Sequence, residues 1–240
     1  MTDPLPNQPR TVASDDTPRW PLLAVAGGAV AFVMSTLAPA AARQTVTIAG
    51  RSAADSASAD AADAAASVIA LVAAVTVLAG ALGIARRMPA AARARSANSR
   101  AFTVLGASVW ALACAAATWT ELGGGQLPLP ITASGAGFAL SALQVLGAAL
   151  LAHGTRPCIR ACGARRELVR ESAAACASLE TAIVAAAAVV GGRIFSLTLP
   201  SLGWSALVPV VQVVAAVAAL VLVVSVTWAF VGCWQLAMRR

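Results

Sequence analysis

Apolar residues gather in six long runs, without the two-residue alternation of a half-buried strand. The runs fall at about 20–38, 65–85, 102–119, 135–152, 177–197 and 207–230. A helix rising 1.5 Å per residue needs about 20 mostly apolar residues to cross roughly 30 Å of hydrocarbon. Backbone inside a bilayer must satisfy its own hydrogen bonds, which leaves helices or closed barrels. These runs are too long for barrel strands. The pattern therefore predicts an all-α fold, a polytopic integral membrane helical bundle with about six transmembrane helices. The sixth run is the most hydrophobic, dense in valine and leucine. The fifth is the weakest, because only twelve residues separate Glu180 from Arg193. That is about 18 Å of helix, too short to span.

The polar segments between the runs set the orientation. Arginines cluster at Arg86, Arg87, Arg93, Arg95 and Arg100, and again at Arg156, Arg160, Arg165, Arg166 and Arg170. Arg10 and Arg19 precede the first run, and Arg239 and Arg240 follow the last. The alternate segments hold only Arg43 and Arg51. Six spans put all four rich segments on one side, and the positive-inside rule makes that side cytoplasmic. Both termini are then cytoplasmic. Residues 1–19, rich in proline, read as a disordered cytoplasmic tail, and 20–240 as one transmembrane domain. Asp3, Asp15 and Asp16 make a poor signal-peptide start, so the first span is expected to stay uncleaved. Trp20, Trp119, Trp204 and Trp234 fall near span ends, where indole rings anchor in the headgroup zone. Trp110 sits in mid-span and must face lipid or a neighbouring helix.

Composition agrees. Of 240 residues, 59% are hydrophobic and 11% charged, against about 25% charged in an ordinary soluble domain. A soluble globule could not cover its surface with so few charges. All 17 basic residues are arginine, and the net charge is +7. Topology explains that charge, so no nucleic-acid partner is inferred. Anionic lipid headgroups are the natural partners of the cytoplasmic arginines. The expected location is an integral, multi-pass one in the plasma membrane. Alanine, about a quarter of the chain, permits close helix packing in pairs such as Ala24 and Gly28, Ala79 and Gly83, and Gly137 and Ser141.

Catalytic and cofactor chemistry finds little footing. His153, Cys158 and Cys162 are near neighbours, but a zinc site wants four ligands, and Pro157 is expected to break the helix between them. No metal or cofactor is therefore expected. Cys158, Cys162 and Cys233 lie at the expected cytoplasmic boundary, where S-acylation occurs, and are candidate lipidation sites. Ser134 and His153 stand at opposite ends of one span, about 27 Å apart, and cannot form a protease dyad within one chain. The acidic stretch with Asp55, Asp60 and Asp63 reads as a solvated approach to the second span. No nucleotide-binding motif occurs.

Ionisable groups within spans are functional candidates by default. Glu180 and Arg193 therefore form a candidate intramembrane polar site, together with Gln144 and Gln212, which read equally well as interhelical hydrogen-bonding residues. A faint echo links Ser108-Val109-Trp110-Ala111 to Ser225-Val226-Thr227-Trp228-Ala229 and suggests an inverted repeat. The leading expectation is a non-catalytic structural or accessory component of a membrane assembly, with a membrane-protein partner or a homo-oligomer. The alternative is a small-solute or proton-coupled transporter using Glu180 and Arg193.

Overall fold

The computed structural model describes residues 19–49, 54–88, 98–122, 133–165 and 167–238. Six α-helices carry nearly all of them: α1 (Arg19–Ala49), α2 (Ala54–Arg86), α3 (Ser99–Glu121), α4 (Ala133–Arg165), α5 (Val169–Thr198) and α6 (Val208–Met238). Each is long and apolar enough to cross a membrane, and no strand occurs among the described residues. The chain is an all-helical, multi-pass membrane protein. Residues 1–18 and 239–240, with the terminal tail expected there, lie outside the described residues.

Consecutive helices pack against one another, and α6 returns to α1, closing a ring. The tightest pairs are three hairpins, α1–α2, α3–α4 and α5–α6. Lipid tails are as apolar as leucine, so close backbone approach drives this packing rather than exclusion from water. A Cβ on Gly147 would stand 2.8 Å from both the Gly106 carbonyl and the Trp110 amide nitrogen. A Cβ on Gly154 would collide with the Thr103 backbone. In the first hairpin Gly28 faces Ala73 and Val77, and Gly80 faces Pro21, Ala24 and Val25. Ala24, Gly28 and Gly83 thus meet a neighbouring helix, whereas Ala79, expected to pair with Gly83, is exposed. Gly137 does not, because a Cβ there would meet nothing within 4 Å.

Two helices differ from expectation. The fourth runs unbroken through Pro157 to Arg165. A proline inside a membrane helix is tolerated where neighbours and local adjustments accommodate the freed backbone carbonyl. Here Cys158, Ile159 and Cys162, which follow it, are fully packed against other helices. The fifth helix is 30 residues long, ample for a span. It continues past Arg193, and two short 3-10 turns, Pro200–Leu202 and Ser205–Leu207, then reverse the chain. Gly203 joins these turns at φ +78°, a left-handed conformation open to glycine at little cost.

The two ends of the ring are chemically distinct. Arg19, Arg86, Arg87, Arg100, Arg160, Arg165 and Arg170 all lie at or near helix termini on one end, with Arg156 slightly deeper. Just inside this arginine end, Leu22, Ile84, Met88, Cys158, Ile159, Cys162, Leu168, Cys176, Cys233 and Leu236 form one buried cluster. Five of the six helices contribute to it. Trp20 and Trp234 are exposed at this end, Trp119 and Trp204 at the other. Indole rings are thus exposed at both ends of the ring.

Candidate functional site

The opposite end opens into a vestibule of about 660 Å³. Its walls come from α1 through α5. Polar groups line it: Ser35 and Thr36 from α1, Asp63 and Ser67 from α2, Thr118, Thr120 and Glu121 from α3, Ser141 and Gln144 from α4, and Arg193 and Ser196 from α5. Helix periodicity explains the convergence. Asp63, Ser67 and Ala70 are three to four residues apart and share one face of α2, as do Gly137, Ser141 and Gln144 on α4. Hydrogen bonds tie the α2 and α3 walls together. The Ser67 hydroxyl donates to the Glu121 carboxylate, and the Thr118 hydroxyl donates to the Ser67 carbonyl at 3.2 Å. The Gln144 amide donates to the Cys114 sulfur at 3.6 Å and joins α4 to α3.

A second cavity, of about 230 Å³, lies deeper along the ring axis. All six helices line it, mainly through alanine, valine, leucine and isoleucine. Phe32, Thr36, Ser141, Gln144, Val190 and Arg193 belong to the walls of both cavities, so the two adjoin there. At its other end the deep cavity stops on Leu22, Ile84, Ile159 and Cys233, which belong to the buried cluster. The result is a passage open at one end and plugged at the arginine end.

Trp110 lies on the deep lining, 5% exposed, with its ring edge-to-face against Phe32 at 4.9 Å. Its mid-span position is thus resolved toward a neighbouring helix and away from lipid. Its indole N–H is buried with no hydrogen-bond partner among the described residues. An unpaired buried donor costs about 1–3 kcal/mol.

The expected site residues separate. Arg193 and Gln144 come together at the junction of the two cavities. Glu180 lies elsewhere, pairing with Arg156 of α4, and contributes to neither cavity wall. About 20 Å of helix separates it from Arg193. Gln212 is exposed on α6, and its side chain makes no hydrogen bond among the described residues. Gly192 of α5 approaches Ala215 on this part of α6. Cys158, Cys162 and Cys233 are 0%, 1% and 4% exposed inside the plug. An acylating enzyme would reach those sulfurs only after local opening. His153 is exposed and stacks edge-to-face on Phe102 at 5.4 Å. It shares the single helix α4 with residue 134, whose side chain lies outside the described set.

Sequence reasoning did not anticipate Asp63, Ser67 and Glu121 as lining residues. Asp63 read as part of a solvated approach, and helical phase alone turns it inward. Among the described residues, no group of three His, Cys, Asp or Glu side chains is placed to hold a metal ion. The echo between the third and sixth spans does not extend to environment, since Trp110 is buried and Trp228 is 61% exposed. The chain matches no family model, no curated protein and no solved structure.

Proposed function

We propose that this protein is a non-catalytic membrane carrier that takes a small solute into the ring of helices from the end opposite the arginines. By the positive-inside rule the arginine end is cytoplasmic, so the vestibule faces outward. One observation carries the reading: a polar vestibule adjoins a deep cavity that dead-ends on a packed cluster. A site near the middle of the ring, reached from one side and sealed from the other, is the arrangement alternating access requires. The polar groups at the junction are Arg193, Gln144, Ser141 and Thr36. Glu180 has no part in the solute site and serves as an ion-pair partner between α4 and α5. The protein is integral to the plasma membrane, with anionic lipid headgroups at its arginine end.

Side-specific thiol labelling in proteoliposomes tests this. Thr155→Cys sits on the deep lining toward the plug. A carrier exposes that position to the arginine side during its cycle, so a membrane-impermeant maleimide added there should modify it slowly. No modification from that side under any condition would refute a carrier. The bundle would then read as an accessory component. That second reading draws on the exposed apolar face of α6, with Val210, Val213, Val217, Leu220 and Val224. A clean monomer in mild detergent would remove it.

A further inference from the structure

The chemistry along the passage changes in one direction. Asp63, Ser67, Thr120 and Glu121 are confined to the vestibule, and the deep cavity below Gln144 is almost wholly aliphatic. Arg193 stands at the boundary and is the one charged residue on the deep lining. The ion pair described within the bundle is Arg156 with Glu180, and no carboxylate among the described residues pairs with the Arg193 guanidinium. A cation beside hydrocarbon is costly, and intramembrane charges mark ligand paths by default.

Shape adds to charge. On α1 the deep lining extends from Leu22 to Leu37, fifteen residues and therefore about 22 Å. A volume of about 230 Å³ over that length is a narrow slot. An extended alkyl chain matches the length and the aliphatic character of that lining. Trp110 on the same lining keeps an indole N–H for which the described residues offer no acceptor. The vestibule carboxylates act against a small hydrophilic anion, which has nothing to hold it below them. An amphiphile is held by its tail, which fixes its headgroup at the level of Arg193.

We propose that the deep cavity binds an anionic amphiphile with a single long alkyl chain, its carboxylate or phosphate at Arg193 and Gln144 and its chain along α1 toward the plug. This names the solute class for the carrier reading above and rests on it for any transport role. A charge-assisted pair between guanidinium and carboxylate or phosphate is the strong form of hydrogen bond. Burial of the chain supplies the remaining affinity.

Equilibrium binding to the full-length protein in detergent tests the proposal, with radiolabelled palmitate, palmitoyl lysophosphatidate and hexadecanol as probes. Either anion should bind saturably, and the tighter of the two identifies the headgroup as carboxylate or phosphate. Hexadecanol should bind about tenfold or more weakly. Arg193→Gln, at an exposed position, should bring the anions down to the level of hexadecanol, and Arg193→Lys should restore part of the loss. Ala148→Phe fills the slot and should weaken all three, with its elution profile and the milder Ala148→Leu confirming that the fold persists. Equal binding of hexadecanol and palmitate, indifference to Arg193→Gln, or no saturable binding would overturn the proposal. Thr155→Cys labelling from the arginine side without palmitate or lysophosphatidate binding sinks the amphiphile and leaves the carrier. Anion binding that depends on Arg193, without such labelling, supports the site and removes the carrier.

Discussion

The two ends of this bundle are built from the same six helices, yet one is packed shut and the other holds open. At the arginine end, leucine, isoleucine and methionine interlock with four buried cysteines from α4, α5 and α6. At the other end, short polar side chains and Gly137 line space that no large side chain fills. Side-chain size at the ring axis thus decides where the bundle closes. Gly28, Gly80, Gly106, Gly147 and Gly154 sit where helices touch each other and hold the hairpins tight. The central cavity is lined by alanines such as Ala148, Ala152, Ala182 and Ala186 interspersed with larger aliphatic side chains.

That contrast can be broken from either side. The largest effect is expected at the helix contacts that hold the ring together. Gly154→Val would force a side chain into the Thr103 backbone, a clash no rotamer change relieves, so the helices must part and the loss exceeds that of ordinary overpacking, about 1–3 kcal/mol. Loss of a monodisperse elution peak in detergent is the expected readout, and Gly137→Val, facing open space, should leave the peak unchanged. Next comes the plug. Ile84→Ala and Ile159→Ala remove fully buried side chains and should each cost about 2–5 kcal/mol of thermal stability. Ser141→Ala, on the vestibule wall, should shift the melting point little. A smaller effect is expected for Glu180→Gln. The pair with Arg156 is half exposed, with side-chain exposures of 53% and 30%, and such pairs contribute about 0–1 kcal/mol. Its loss should leave amphiphile binding untouched, whereas Arg193→Gln abolishes the headgroup preference. The smallest effect is expected at Glu167. It adopts a left-handed conformation at φ 57° between α4 and α5, which costs a non-glycine residue roughly 1–2 kcal/mol, but the extra freedom of glycine in the unfolded chain offsets most of that relief and leaves a net gain of about a few tenths of a kcal/mol. Glu167→Gly should raise the melting temperature slightly.

Much of the fold was legible in the sequence because the bilayer restricts the choices so severely. A run such as 207–230 admits no structure but a helix, and six such runs with arginine clusters at alternate junctions imply an up-and-down order. What eluded the sequence was helical phase and length. Span five looked too short because Glu180 and Arg193 bounded it, yet the helix runs from Val169 to Thr198 and carries both charges along its flank. Pro157 looked like a break, and packing of Cys158 and Cys162 holds the helix through it. Within the candidate site, Arg193 and Gln144 were visible as polar residues in apolar runs. Their meeting across α4 and α5 depends on which face each helix turns to the axis. Asp63 and Glu121 lay at span edges, where a carboxylate needs no special explanation, so nothing local flagged them. Glu180 was equally visible, but its partner comes from another helix.

The asymmetry itself is open to one direct measurement. Ser141→Cys places a thiol on the vestibule wall, and Cys158, Cys162, Cys176 and Cys233 are native thiols within the plug. A membrane-impermeant maleimide should be applied to either face of oriented proteoliposomes and the modified residues read by mass spectrometry. The structure predicts rapid modification of Ser141→Cys from the face opposite the arginines. The four plug thiols should react from the arginine face at least about tenfold more slowly, limited by local opening. Plug thiols reacting as fast as Ser141→Cys, or Ser141→Cys protected from both faces, would contradict a ring closed at one end and open at the other.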